Sequence, residues 1–132
     1  STPIKSSAAS DVYKRQTNGW MSNAVTNIKD PTFVGINLGN VYKINRVDVY
    51  PRKSGEYFPV DFDVQISLDG RNWKTVAERR NESETPKGRM IEFAPVEARY
   101  VRILSVKLCG KYVDFAQGYL MQLSEIEIFA VK

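Results

Sequence analysis

The chain has 132 residues, 42% of them hydrophobic, a net charge of +4 and no histidine. This length and composition predict one domain with one hydrophobic core. The lack of histidine excludes Ser/His/Asp and Cys/His nucleophile systems, imidazole zinc sites and histidine general bases. Lysine and arginine are spread along the chain, so we expect no nucleic-acid partner.

Apolar residues alternate with polar residues over short runs separated by Gly, Pro, Asn and Asp, a pattern typical of half-buried antiparallel strands. Asp69-Gly70 lies between two such runs and predicts a tight hairpin turn. The first and last strands are expected to pair. In chain order, strands are predicted over 34–38, 47–49, 62–66, 73–76, 89–93, 98–106 and 123–130.

Three connections between these strands are long and contain aromatic and charged residues that a plain turn does not need. They are Asn18 to Thr32, Pro51 to Pro59 and Lys107 to Gln122. Short strands joined by long connections favour a sandwich or jelly roll over a meander. The sequence therefore predicts a single all-β domain over residues 1–132, with function in these loops. Cys109, the only cysteine, is expected to be buried as a small hydrophobic residue.

One segment, Asp11 to Gln16, has the sequence Asp-Val-Tyr-Lys-Arg-Gln. These residues match a translation of the mosaic-end adapter used in transposase-based sequencing libraries. We interpret the segment as an assembly artefact in a metagenomic reading frame, with a native basic loop as the alternative. The segment therefore carries no information about function.

Five phrases of the chain resemble the discoidin family, also called coagulation factor 5/8 type C domains, which includes family 32 carbohydrate-binding modules. They occur in the family's order and cover most of the chain. The phrases are 17–22 (Thr-Asn-Gly-Trp-Met-Ser), 34–39 with 47–52, 62–73 (with Ser-Leu-Asp-Gly-Arg-Asn-Trp), 98–102 (Ala-Arg-Tyr-Val-Arg) and 124–129. The resemblance implies an antiparallel eight-stranded jelly-roll β-sandwich of the galactose-binding type. It also implies a non-catalytic, monomeric, glycan-binding module of a larger protein that is extracellular, on the cell surface or periplasmic.

The resemblance also points to Arg52, because family 32 modules often place a ligand-contacting arginine after a Tyr-x-Pro sequence. Its planar fork can donate two parallel hydrogen bonds to sugar hydroxyls; a surface salt bridge with Glu56 is the alternative. In the galactose binders of the family a histidine and an asparagine complete the site. Met21, Ser22 and Phe58 stand in those regions here, so the resemblance does not imply a galactose-type specificity, and a related sugar stays compatible with the site.

Aromatic residues of the second and third long loops can cover the C–H face of a sugar. We predict that these ligand-binding residues are Tyr57, Phe58, Tyr112 and Tyr119, with Tyr57 and Tyr112 favoured because charged neighbours place them near solvent. Leu108, Phe115 and Leu120 are alternatives that would close the end of the sandwich. Trp20 and Trp73 are predicted to pack in the core, and Arg99 and Arg102 to be structural.

Many members of the family hold a structural Ca²⁺ between the first loop and the last strand, and Thr17 and Glu125 match two of its ligands. All-oxygen sites suit this ion. Lys14-Arg15-Gln16 stands where the family has Asp-Gly-Asn, and two positive charges oppose a cation. The expectation is weak calcium binding or none.

Three other functions are compatible with parts of the sequence. An enzyme could use a carboxylate pair on one strand face, Asp61 with Asp63 or Glu125 with Glu127, although a solvated strand face shows the same pattern. A membrane-binding module would use loop-tip residues. Those residues would be Lys53, Tyr57, Phe58, Lys111 and Tyr112. A protein-adhesion module would use the same loops.

Overall fold

The structure, a computed structural model, describes residues 6–7, 10–16, 20–52 and 55–131, with side chains described from residue 20 onward within those ranges. The only helix in these ranges is a 3-10 turn, Asp114–Ala116. The all-β prediction is therefore confirmed. The strands are β1 (Ser6–Ser7), β2 (Ser10–Gln16), β3 (Trp20–Met21), β4 (Thr32–Pro51), β5 (Asp61–Ser67), β6 (Lys74–Arg79), β7 (Arg89–Lys107) and β8 (Gln122–Val131).

All strand pairs are antiparallel, in the order β1-β2-β8-β4-β7-β5-β6, and β3 also pairs with β8. β4 and β7 are long enough to run through both layers of the sandwich. The first layer contains β2, β8, the second half of β4 and the first half of β7. The second layer contains the first half of β4, the second half of β7, β5 and β6.

The core lies between the two layers and follows the predicted alternation. Val34, Ile36 and Leu38 of β4 point inward, while Phe33 and Gly35 point to solvent. Burying each such apolar side chain stabilises the fold by about 1.5–3 kcal/mol. The largest fully buried side chains include Phe62, Ile103, Leu108, Leu120, Leu123, Ile126, Ile128 and Phe129. Leu108 and Leu120 therefore close the end of the sandwich, as expected.

The two ends of the chain pair, as predicted, because β2 lies along β8 from Ser10 opposite Val131 to Gln16 opposite Ile126. The segment Asp11 to Gln16 thus forms most of a strand and not a basic loop. Its origin as an assembly artefact stays a prediction. Among the described residues, no helix has the length and apolar character needed to cross a membrane.

Trp73 and Cys109 differ from their predicted burial or packing. Trp20 packs against the core as expected, but Trp73 stacks on Arg102 on the outer face of the second layer. Its position just before β6 places the ring above a neighbouring strand, where the hydrocarbon and guanidinium parts of Arg102 support it. Arg102 was predicted to be a structural residue bound to backbone carbonyls or a carboxylate; its contacts are instead this ring and a 2.8 Å hydrogen bond from its Nε to Oε1 of Gln65. Cys109 is half-buried, so the prediction of a buried thiol was wrong.

The predicted hairpin joins β5 to β6 through residues 68–73, and Gly70 adopts a positive φ of 78°. The Asp69 carboxylate organises this turn. It accepts hydrogen bonds from the backbone N–H groups of Arg71 and Asn72 and from the side chains of Asn72 and Ser67. These donors stabilise the charged form, so they lower the pKa of Asp69 from its ordinary value, the backbone N–H of Asn72 having the largest effect.

Asp69→Asn is expected to destabilise the domain at neutral pH and to lose that effect in acid. A carboxyl with a depressed folded-state pKa stabilises the fold above its unfolded pKa of about 3.9, and this contribution disappears as pH falls through the folded-state value. The melting temperatures of wild type and variant should therefore converge between about pH 5 and pH 2. A difference that stays constant over this range in thermal unfolding would contradict the assignment.

Candidate functional site

Four loops gather at one end of the sandwich, and backbone hydrogen bonds join them. Val25 and Tyr119 exchange two such bonds of 2.8 Å, and Leu108 donates to Ile28 at 2.9 Å. Val60 accepts a 2.8 Å bond from Glu82. The loops are residues 22–31, 52–60, 80–88 and 108–121, called the loop end below. The sequence predicted the first, second and fourth of these loops to be functional and missed 80–88.

Close backbone approach ties the second loop to the third. Gly55 has a φ of +81°, and a Cβ built on it would lie 2.6 Å from the carbonyl carbon of Thr85. Only glycine fits this position. The third loop is joined to the fourth by a 2.6 Å ion pair between Lys111 and Glu84, and this hydrogen bond raises the pKa of Lys111.

Arg89, buried at the start of β7, holds the 80–88 loop in place. Its guanidinium pairs with Glu82 at 2.7 Å and lies 4.1 Å from the centre of the Phe58 ring. It also donates hydrogen bonds to three carbonyl groups of the loop, those of Ser83, Thr85 and Lys87. One side chain thus connects the loop that contains Phe58 with the loop beside it. The sequence contained no signal for this role, because the acceptors are backbone groups.

Arg52 is exposed and directly follows β4, as the sequence predicted. Ser124 of β8 fixes this strand end by donating a 2.7 Å hydrogen bond to the carbonyl of Pro51. The Nη1 of Arg52 donates to Oε1 of Gln122 at 2.8 Å. In the described part of the chain this is the only hydrogen bond of the Arg52 side chain, which leaves further guanidinium donors facing solvent.

Gln122, which sequence reasoning missed, connects three parts of the site. Its side chain accepts from Arg52, its backbone N–H donates to the carbonyl of Tyr57 at 3.0 Å, and its Nε2 lies 3.5 Å from Sδ of Met21. Tyr57 has a φ of 62°, a left-handed conformation uncommon for a tyrosine. Arg52 and Tyr57 are thus brought together through one residue of β8.

Tyr112 and Tyr119 form an edge-to-face pair with ring centres 5.6 Å apart. Tyr112 is 53% exposed, and Tyr119 is half-buried because its backbone is bound to Val25. Tyr119 and Gln122 are three residues apart, so their Cα atoms lie within about 11 Å of each other. Phe115, which was expected to close the sandwich, is instead 77% exposed on the 3-10 turn.

The prediction that Phe58 contacts the ligand was wrong. Only 3% of this residue is exposed, and its ring packs edge-to-face on Phe62 at 5.5 Å and under the Arg89 guanidinium. The ring therefore faces the core and not a ligand. The left-handed φ of Tyr57 turns the chain between Tyr57 and Phe58. The two neighbouring rings therefore point in different directions.

The predicted calcium ligands are only partly described. Thr17 lies outside the described residues, and Glu125 is half-buried on β8 opposite Tyr50. The described residues contain no group of three or more Asp, Glu or Cys side chains placed to share a metal ion. These residues alone do not fit a Ca²⁺ site, which needs six to eight oxygen ligands.

We predict weak or no calcium binding. Millimolar Ca²⁺ added to chelator-treated domain should leave the melting temperature within about 1 °C, since a ligand that binds the native state stabilises it only in proportion to its occupancy. A rise of several degrees corresponds to about 1 kcal/mol and would show that other oxygens complete the shell. Mg²⁺ is the control for a general salt effect.

The two carboxylate pairs that an enzyme could use have structural partners. Asp63 pairs with Arg80 at 3.0 Å, and Asp61 accepts a 2.8 Å hydrogen bond from the backbone of Asn81. Glu127 is 5% exposed and accepts a 3.0 Å hydrogen bond from the Tyr50 hydroxyl. Burial and this hydrogen bond raise the pKa of Tyr50 to about 12, so the hydroxyl remains a donor.

The fold and this arrangement define an antiparallel jelly-roll sandwich with a candidate ligand-binding surface at one end. The family model of the F5/8 type C domain matches residues 3–116. The chain belongs to the F5/8 type C domain family, as the resemblance in its sequence phrases indicated.

Several solved structures with the same fold are carbohydrate-binding modules. Chitosan-binding module 1 of a chitosanase/glucanase from Paenibacillus sp. IK-5 aligns with a TM-score of 0.65 and 24% identity over 85% of this chain and 75% of that one. The family 32 module of NanJ from Clostridium perfringens, in complex with galactose, aligns with a TM-score of 0.64 and 19% identity over 84% of this chain and 75% of that one. Another Clostridium perfringens family 32 module, in complex with GalNAc-β-1,3-galactose, aligns with a TM-score of 0.63 and 22% identity over 77% of this chain and 68% of that one. At these identities the similarity establishes the fold.

Proposed function

We propose that this chain is a non-catalytic carbohydrate-binding module and that its loop end binds a terminal or short-chain glycan. The observation that carries the proposal is an exposed arginine, Arg52, held by Gln122 at the same end of the sandwich as the Tyr112–Tyr119 pair, of which Tyr112 is exposed. Similar modules were solved with galactose, GalNAc-β-1,3-galactose and chitotriose.

Arg52 orients the ligand in the proposed site through hydrogen bonds. A guanidinium with unused donors can hydrogen-bond two neighbouring hydroxyls of a sugar ring, and such bonds from a charged donor contribute about 1.5–3 kcal/mol. Gln122 limits the freedom of Arg52, so less conformational entropy is lost when the ligand binds.

The tyrosine pair supplies apolar area. An aromatic ring fixed by an edge-to-face neighbour covers the C–H face of a sugar with little entropy loss. One stacked ring and one or two hydrogen bonds, less the cost of association, give a dissociation constant of roughly micromolar to millimolar. Several copies in a larger secreted or cell-surface protein would lower the apparent dissociation constant by avidity.

The alternative of an anionic membrane partner has less support. Of its proposed contacts, Phe58 is buried, Lys111 is paired with Glu84, and Lys53 lies outside the described residues. Cosedimentation with phosphatidylserine vesicles but not with phosphatidylcholine vesicles would favour that alternative. A protein-adhesion role would use the same exposed rings.

A glycan array with the purified domain tests the proposal. We expect binding to a defined group of glycans, and unchanged glycan in chromatographic analysis after prolonged incubation. Turnover of a bound saccharide would overturn the non-catalytic assignment. Absence of binding to every glycan on the array would overturn the carbohydrate function.

A further inference from the structure

A second surface with the composition of a ligand site lies on the outer face of the second layer. An open groove of about 510 Å³ runs there between β4, β7 and the β5–β6 hairpin. Its size is within the range of small-molecule sites. The residues that define it here are Phe33, Gly35, Asn37, Arg71, Trp73 and Tyr100, and it is called the face groove below.

The walls of the face groove are aromatic and its floor is glycine. Phe33 is 51% exposed, whereas Trp73 and Tyr100 are half-buried beside it. Gly35 lies on the same strand face as Phe33, and the lack of a side chain there leaves the groove open. Exposed rings around an open floor suit a ligand with flat C–H faces, such as a sugar.

The charge of the face groove favours an anion. The Arg102 guanidinium lies 4.0 Å from the centre of the Trp73 ring and 5.1 Å from that of Phe33, between two walls of the groove. Arg71 lines the groove, and Arg99 lies 5.8 Å from the Tyr100 ring. Neither Arg71 nor Arg102 forms an ion pair with any residue in the described ranges.

One acidic side chain, Asp69, also lines the face groove. Its carboxylate already accepts four hydrogen bonds within the hairpin turn, which partly satisfy its charge. The two arginines exceed this single carboxylate, so the local charge is positive. A carboxylate, like a phosphate, matches a guanidinium fork in two-point geometry.

We propose that the face groove is a second carbohydrate site, separate from the loop end, and that it binds a sugar bearing a carboxylate, such as a uronic or sialic acid. The rings cover the sugar face and Arg71 pairs with the carboxylate, with Arg102 adding positive charge. The inference does not rest on the loop-end site, because the two surfaces share none of the residues proposed to bind ligand.

Gly35 provides a selective block. Its φ is not in the left-handed region, and an added Cβ would lie 3.6 Å from the Phe33 ring and 3.7 Å from Cβ of Arg102, an ordinary contact. Gly35→Val therefore places a branched side chain on the groove floor. Valine is a residue that strands favour, so the backbone should keep its conformation. Gly35→Ala is the matched control, because a single methyl group occupies little of the groove.

The experiment uses an array that pairs sialylated and uronic-acid-containing glycans with their carboxyl-reduced, uncharged counterparts. Wild type and Arg52→Ala should both bind at least one acidic glycan at least 10-fold more tightly than its reduced counterpart. Gly35→Val should lower that affinity at least 10-fold, Gly35→Ala less than 3-fold. Melting temperatures show whether each variant is folded.

A second variant keeps the test decisive if Gly35→Val does not fold. Phe33→Ala removes one exposed wall and should lower acidic-glycan affinity about 10-fold, whereas Met90→Ala, an equally exposed apolar residue outside the groove, should not. Acidic glycans bound equally by wild type and the groove variants, or lost only in Arg52→Ala, would overturn the proposal. So would the absence of any preference for the acidic form, even with neutral glycans bound at the loop end.

Discussion

Replacing Arg52 with alanine is expected to abolish detectable glycan binding at the loop end while the melting temperature stays nearly unchanged. Loss of one or two charge-assisted hydrogen bonds removes about 1.5–3 kcal/mol each, or at least 10-fold in affinity. A ligand with a dissociation constant in the micromolar-to-millimolar range then falls below detection. The fold loses one partly buried hydrogen bond, to Gln122, at a cost of about 1 kcal/mol.

Two variants separate the role of the guanidinium from that of its charge. Arg52→Lys keeps the charge but loses the planar fork, so this variant should bind glycan weakly, as Arg52→Ala does. Arg99→Ala removes the same charge from an exposed position on β7, outside the loop end, and should leave binding of neutral glycans unchanged. Titration calorimetry gives the affinities. Equal affinities for Arg52→Ala and the unmodified domain would place the site elsewhere.

Arg89→Ala should cause a large loss of stability. Removing one partner of a buried ion pair typically costs about 3–5 kcal/mol. Here Glu82 loses its 2.7 Å partner and keeps the more distant Arg79, at 3.8 Å. The variant also leaves three loop carbonyls without this donor and exposes the Phe58 ring. At the low end of that range, we expect a melting temperature about 10 °C lower.

Arg79 supplies a matched control for this prediction. It lies 3.8 Å from the same Glu82 but is 36% exposed, so Arg79→Ala should cost less than about 1 kcal/mol. Chemical denaturation measures both free energies of unfolding. Similar values for the two variants would contradict the role of Arg89 as the residue that holds the 80–88 loop.

Much of the loop end could be predicted from the sequence because its signals are local. Arg52 follows a strand, and Tyr112 stands beside the charged Lys111 in a long connection, where side chains usually remain near solvent. Phe58 could not be placed in this way. Its burial depends on the left-handed φ of Tyr57 and on Arg89, a residue remote in sequence.

The sequence alone determined the all-β class, the hairpin at Asp69-Gly70 and the inward-facing residues, because a period of two fixes which side chains share a strand face. Only the tertiary structure decided that 34–38 and 47–49 belong to one long strand, and that 89–93 and 98–106 belong to another. Gly39 and Pro95 interrupt the alternation where these strands pass between layers. Their continuity comes from hydrogen bonds to each other, residues far apart in the chain. The role of Gln122 and the existence of the face groove were also decided by the tertiary structure. Both depend on side chains that meet only after the strands have paired.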